Sequence, residues 1–318
     1  MNPFELPRDR FKARRDLLKS SIEVVLSETS EYIYAEYQEL EKLERAELFC
    51  KYELMEAPSA RVDHLQKVGI FPWVEAAHEL DSCLTVIFEG NYKNAFDSLR
   101  RAIELVVTGS FFVLDNVEQG KAREWMESDR STPNFKRALK VIEDACQYSG
   151  CDEEVSWTKS LLGHYWELCD VIHVKGVKNS SSEISPRHSF ISGVSIPHFD
   201  QKACNLSLSY YLKTVELVAL MVALSNPVLL VGFDLERKFG LNAPMSGFYN
   251  SAQSDRLTSL IPDRFKPFIK TLIDSDRNIA LVSQWFDSLP DITEEELELQ
   301  MKKQDELFGN FTEQNNLS

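Results

Sequence analysis

Glycine and proline are scarce in this chain of 318 residues, twelve of each. So few breakers argue against a turn-rich β-sandwich or barrel and for long continuous elements. None of the six cysteines (Cys50, Cys83, Cys146, Cys151, Cys169 and Cys204) stands in a CxxC pair. No His/Cys quartet has zinc-ligand spacing either, so the expectation is free thiols, no metal and no cofactor. The opening MNPFELPRDRFKARRD is charged where a signal peptide would be apolar, which points to a cytoplasmic protein. A long apolar run is missing too. The nearest approach, LVALMVALSNPVLLVGF from Leu217 to Phe233, falls short of the ~20 residues a span needs and is interrupted at Ser225-Asn226-Pro227. It reads as a buried core helix ending at Asn226, and no membrane partner is expected.

Positive charge is also in deficit. Thirty-five Lys and Arg face fifty Asp and Glu, a formal charge of −15. Affinity for nucleic-acid backbones comes mainly from cations displacing counterions, so RNA is disfavoured as a partner unless a local basic patch supplies it. Two stretches qualify. One is Arg8, Arg10, Lys12, Arg14, Arg15 and Lys19; the other is Arg130, Lys136, Arg137 and Lys140. Solvated helix faces have the same composition.

What is present is helical periodicity. Leu17, Leu18, Ile22, Val25 and Leu26 recur as one helix face does, and Tyr32 to Leu43 continues through a charged background. Residues 1–70 therefore read as long N-terminal helices, broken at Pro58-Ser59. From 71 to 226 a bundle is expected. Pro72 suits a first helical turn, Trp73 to Phe88 forms a helix, and Gly90-Asn91 joins it to a second one with Tyr92, Ala95, Phe96, Leu99, Ile103 and Val106 on its apolar side. Two amphipathic helices across so short a joint pack antiparallel. Residues 115–134 are polar; Ser131-Thr132-Pro133 predicts a cap and a helix over 134–148, ended by Ser149-Gly150. A helix from about Glu153 ends near Lys175-Gly176. Residues 177–200, Ser-rich with Pro186 and Pro197, read as one long loop. The region 227–318 reads as short helices broken by prolines, a last helix capped at Thr293 before Glu294-Glu295-Glu296, and a polar tail after Phe311. The fold class is all-α.

Two segments carry a resemblance. GNYKNAFDSLRRAIEL, Gly90 to Leu105, and HYWELCDVIHVKG, His164 to Gly176, together look like a HEPN domain, a helical-bundle superfamily of nucleotide-binding and ribonuclease modules. The resemblance covers roughly residues 75–225. It implies a four-helix up-down bundle, often dimeric, whose active members cleave RNA without a metal through an R-x4-6-H pair. It marks His173 as the catalytic candidate and Arg100, Arg101, Tyr165 and Arg187 as ligand-binding candidates. The chemistry is reasonable, since imidazole moves protons at neutral pH and guanidinium stabilises phosphate charge.

This chain departs from that pattern at its centre. Trp166, Glu167 and Leu168 occupy the R-x4-6-H positions before His173, and no Arg stands at that spacing before any of the six histidines. The resemblance then implies a binding or scaffold protein without the standard nuclease pair, in the kind of bacterial stress or phage-defence setting where the superfamily is frequent. Its partner would be another protein or a second copy. Two alternatives stay open: a metal-independent ribonuclease whose arginine is displaced or supplied by a dimer mate, and a structural helical subunit that pairs through its N-terminal helices. His173 itself has a structural reading, since an imidazole on a last turn interacts well with the helix dipole. His164, nine residues earlier, lies half a revolution away and shares no site with it on a straight helix.

Overall fold

A computed structural model describes residues 9–57, 70–145 apart from 115, 116 and 118, 156–184, 197–240 and 247–303. The protein is an all-α bundle, and among the described residues the β structure is a single bridge between Gly232 and Tyr249. In chain order the helices are α1 (Asp9–Glu36), α2 (Leu40–Leu48), α3 (Ile70–Phe88), α4 (Tyr92–Phe112), α5 (Gln119–Met126), α6 (Phe135–Asp144) and α7 (Trp157–Ile172). They continue as α8 (Ser181–Ile184), α9 (Gln201–Ser225), α10 (Leu235–Phe239), α11 (Ser251–Leu260), α12 (Lys266–Ser275) and α13 (Arg277–Ser288), with a last helix, α14, over 294–303.

At the centre lies α4. It buries Ala95, Leu99, Ile103 and Val106 as its periodicity predicts, and also Ser98, Thr108 and Ser110, so little of it faces water. A helix buried nearly all round needs neighbours on every side, and α3, α6, α7 and α9 supply them. The hairpin α3–α4 turns through Gly90, whose φ of +73° favours glycine. A Cβ there would sit 2.6 Å from the His198 carbonyl, so the close approach of the chain entering α9 also demands glycine. Asp200 starts α9 by accepting from Ala203 N at 2.9 Å. One described helix, α9, is long and apolar enough to cross a membrane, and 72 % of its most apolar window is buried inside the fold. It ends at Ser225 with Asn226 as cap.

The N-terminal helices join the same hydrophobic core, which runs from Tyr32 in α1 to Ile269 in α12; a smaller cluster around Phe233, Leu235 and Phe286 holds α10 against α13. After α2 the helix widens into a π turn, Phe49–Glu53, and buries the Glu53 carboxylate against the Arg256 guanidinium of α11. Tyr249 also donates to the Glu53 carbonyl at 2.6 Å.

Three local expectations need correction, and one stretch read only as polar holds a helix. The polar stretch 115–134 contains α5, whose apolar residues are buried Ala122, half-buried Trp125 and exposed Met126, too few to show a period. Asn134, not Ser131, caps α6, accepting from Arg137 N at 3.2 Å, so Pro133 precedes the helix. Further on, α7 stops at Ile172 with His173 as its C-cap, short of Lys175-Gly176. Val174 N reaches Val171 O at 3.2 Å and Lys175 N reaches Asp170 O at 2.9 Å, a Schellman pair in which Val174 takes the left-handed position at φ +51°. Finally, the Ser-rich stretch is not loop throughout: Val177–Asn179 forms a 3-10 turn and α8 follows, anchored by buried Ile184 against α4. Thr293 does cap α14: its backbone N–H and hydroxyl donate to Glu296 while its hydroxyl accepts from Glu296 N. Pro58-Ser59, Ser149-Gly150, Pro186, Pro244, Cys146, Cys151, Arg8 and the tail after Phe311 lie outside the described residues.

Candidate binding face at the His173 end of α7

The two segments that carry the resemblance, α4 and α7, pack side by side. His173 is exposed on the last turn of α7. Seven residues before it, on the same helical stripe, Trp166 is 46 % exposed; just beyond it Val174 is 43 % and Val177 75 % exposed. Lys136 of α6 lies over the Trp166 ring, 5.7 Å from its centroid. Three large apolar side chains thus stand in water on the last two turns of α7 and just beyond its end, the stretch that also carries His173.

Next to this stretch is a cavity of about 320 Å³ where α4, the start of α6 and α7 meet. Tyr165 lines it and stacks on Phe135, with ring centroids 4.0 Å apart and planes 13° from parallel. Its hydroxyl donates to Glu104 Oε1 at 2.8 Å, and Arg100 Nε donates to the same oxygen at 3.1 Å. Burial lowers the Arg100 pKa but Glu104 outweighs it, so the guanidinium holds its proton more firmly than usual. Burial and the Glu104 charge both raise the Tyr165 phenol, which therefore stays neutral. Cys169, beside Tyr165, is buried and its thiol is pushed up, first by desolvation. The cavity wall presents neither a thiolate nor a phenolate at neutral pH.

The sequence-predicted residues separate accordingly. Tyr165 and Trp166 line the cavity, His173 is exposed about two turns further along α7 and outside that lining, and Arg100 is tied to Glu104. Arg101 turns away across the α3–α4 hairpin and forks onto Glu79 at 2.7 and 2.9 Å, with Asp97 as a further partner. Among the described residues no guanidinium bonds the His173 ring. Arg187 lies outside the described residues.

A second histidine has chemistry that sequence reasoning missed. His164 is wholly buried, its Nε2 lying 2.8 Å from Thr214 Oγ1 on α9 and its Nδ1 3.4 Å from Glu167 Oε2. Thr214 spends its own proton on the Tyr210 carbonyl, so the hydroxyl accepts and Nε2 carries the hydrogen. Nδ1 then turns a lone pair toward a carboxylate, which is tolerable because Lys213 Nζ sits 2.6 Å from that same oxygen. Burial and then the Lys213 charge push the His164 pKa down to about 4, against the smaller opposing pull of Glu167. The i,i+3 spacing of His164 and Glu167 was visible in the sequence; their partners on α9 were not.

The remaining described cysteines, Cys50, Cys83 and Cys204, are free and buried, and desolvation raises all three. The chain matches no family model, and neither a curated protein nor a solved structure matches it.

Proposed function

We propose that this chain is a helical binding protein, a HEPN-like bundle without the arginine–histidine pair, which uses the His173 end of α7 to engage a protein partner or a second copy of itself. The observation that carries this reading is the exposure of Trp166, Val174 and Val177 along the stretch of chain that carries His173. Exposed clusters of this kind suit burial in an interface, where aromatic anchors contribute most of the affinity. The state of the arginines supports it. Arg100 and Arg101 are engaged with carboxylates, and moving either to a phosphodiester would leave Glu104 or Glu79 without its cation.

Two measurements on the purified full chain test the reading. Incubated with single-stranded RNA in EDTA, the protein is expected to leave the RNA intact. Cleavage that disappears in His173→Ala would overturn the proposal in favour of a metal-independent ribonuclease. In sedimentation or pull-down, Trp166→Asp with Val177→Asp is expected to abolish association while thermal stability is retained. Association undiminished in that variant would place the interface elsewhere.

A further inference from the structure

A second cavity, of about 400 Å³, lies on the far side of the Pro133-Asn134 rib from the one Tyr165 lines. Cations from three different segments converge on it: Lys121 from α5, Arg130 from the connection and Arg137 from α6. Its floor is apolar, made by Phe111, Phe112 and Val141. This convergence occurs on a chain with a formal charge of −15, and among the described residues no carboxylate lines the cavity. Its volume falls in the ~300–1,000 Å³ range of small-molecule sites, and its construction, an apolar body with a few placed polar groups, is theirs too.

The cations of the 130–140 patch are not equivalent. Lys140 is held by Glu143 and Asp144 at 2.9 and 3.0 Å, and Lys136 covers Trp166 on the other side of the rib. Arg130 pairs with Glu124 at 2.6 Å, but both side chains are about half exposed, so water and a competing anion open that pair at little cost. Arg137 has no salt-bridge partner among the described residues. Its backbone N–H is already taken by the Asn134 cap, so its guanidinium is what the site offers a ligand. A guanidinium flanked by two more cations above an aromatic floor matches a phosphate group attached to an apolar body.

We infer that this cavity binds a small phosphomonoester, its phosphate on Arg137 and Arg130 and its apolar body against Phe111 and Phe112. The inference is independent of the His173 face and stands or falls without it. Calorimetric titration of the full chain with 1-naphthyl phosphate at low salt tests it, with inorganic phosphate and 1-naphthol as separate titrants. Saturable one-to-one binding of naphthyl phosphate is expected, weaker binding of either half alone, and an affinity that falls as salt rises. Charge reversal in Arg137→Glu or Arg130→Glu should weaken naphthyl phosphate by at least about tenfold, since a charge-assisted contact becomes a repulsion. Lys140→Glu, which makes the same change in net charge outside the cavity, should bind as the parent does. Absence of saturable binding, equal affinity in Arg137→Glu, or equal loss in Lys140→Glu would each overturn the site. Inorganic phosphate binding as tightly as the naphthyl ester would overturn the role of the apolar floor. Far-ultraviolet circular dichroism keeps misfolding apart from lost binding, and Arg137→Gln serves if a charge reversal fails to fold.

Discussion

Acidifying this protein should destabilise it through His164, and the size of the effect follows from its surroundings. The imidazole is fully buried, bonded at Nε2 by Thr214 and facing at Nδ1 a carboxylate that Lys213 already neutralises. Its pKa falls from the ordinary 6.5 to about 4. In the unfolded chain the ring takes a proton at about 6.5, so between the two values the unfolded state binds more protons than the folded one. Stability from this group is therefore complete above pH 6.5 and is lost as pH drops toward 4. At 1.36 kcal/mol per unit the loss is about 3 kcal/mol, or roughly 5 °C in melting temperature for a chain of this length. Glu167 works in the same direction at lower pH: partial burial raises its carboxyl, but Lys213 outweighs burial and holds it below its ordinary value. The assay is chemical denaturation at constant ionic strength from pH 7.5 to 4.5, comparing the parent with His164→Gln. Glutamine keeps a donor for Thr214 and does not titrate, so its stability should fall less steeply by that amount. Parallel pH profiles for the two proteins would refute the reasoning.

Two further outcomes follow from the backbone and the buried ion pair. Val174→Gly should raise stability by about 1 kcal/mol in urea, because a β-branched residue in the left-handed position is strained and glycine is not; a lower midpoint would show that Val174 holds the end of α7 by packing. Arg256→Met should cost about 3 kcal/mol, since it leaves the Glu53 carboxylate buried without its cation. The double variant with Glu53→Met should recover most of that loss in the same denaturation experiment.

The helices themselves were legible in the sequence. Apolar residues at three- and four-residue spacing locate α3, α4 and α9 because helical periodicity is local and repeats over many residues. The Gly90 joint and the Thr293–Glu296 cap were legible for the same reason: each involves backbone groups only a few residues apart. Where a segment had few core positions, as in α5, or where Val stood in a place that usually takes Gly, as after α7, the pattern failed and the boundary moved.

The site depended on contacts that no local pattern encodes. Two histidines nine residues apart on α7 have opposite fates, His164 sealed against Thr214 and His173 in water. The half revolution between them is in the sequence, but which side meets α9 depends on how the helices rotate against one another. Arg101 finds Glu79 twenty-two residues away, Tyr165 finds Glu104 sixty-one away, and Lys213 finds Glu167 forty-six away. The sequence by itself determined which segments coil and where several of them stop, since those energies are spent within one turn. Tertiary packing alone decided which charged and aromatic side chains meet, because their pairing energies arise between helices distant in the chain.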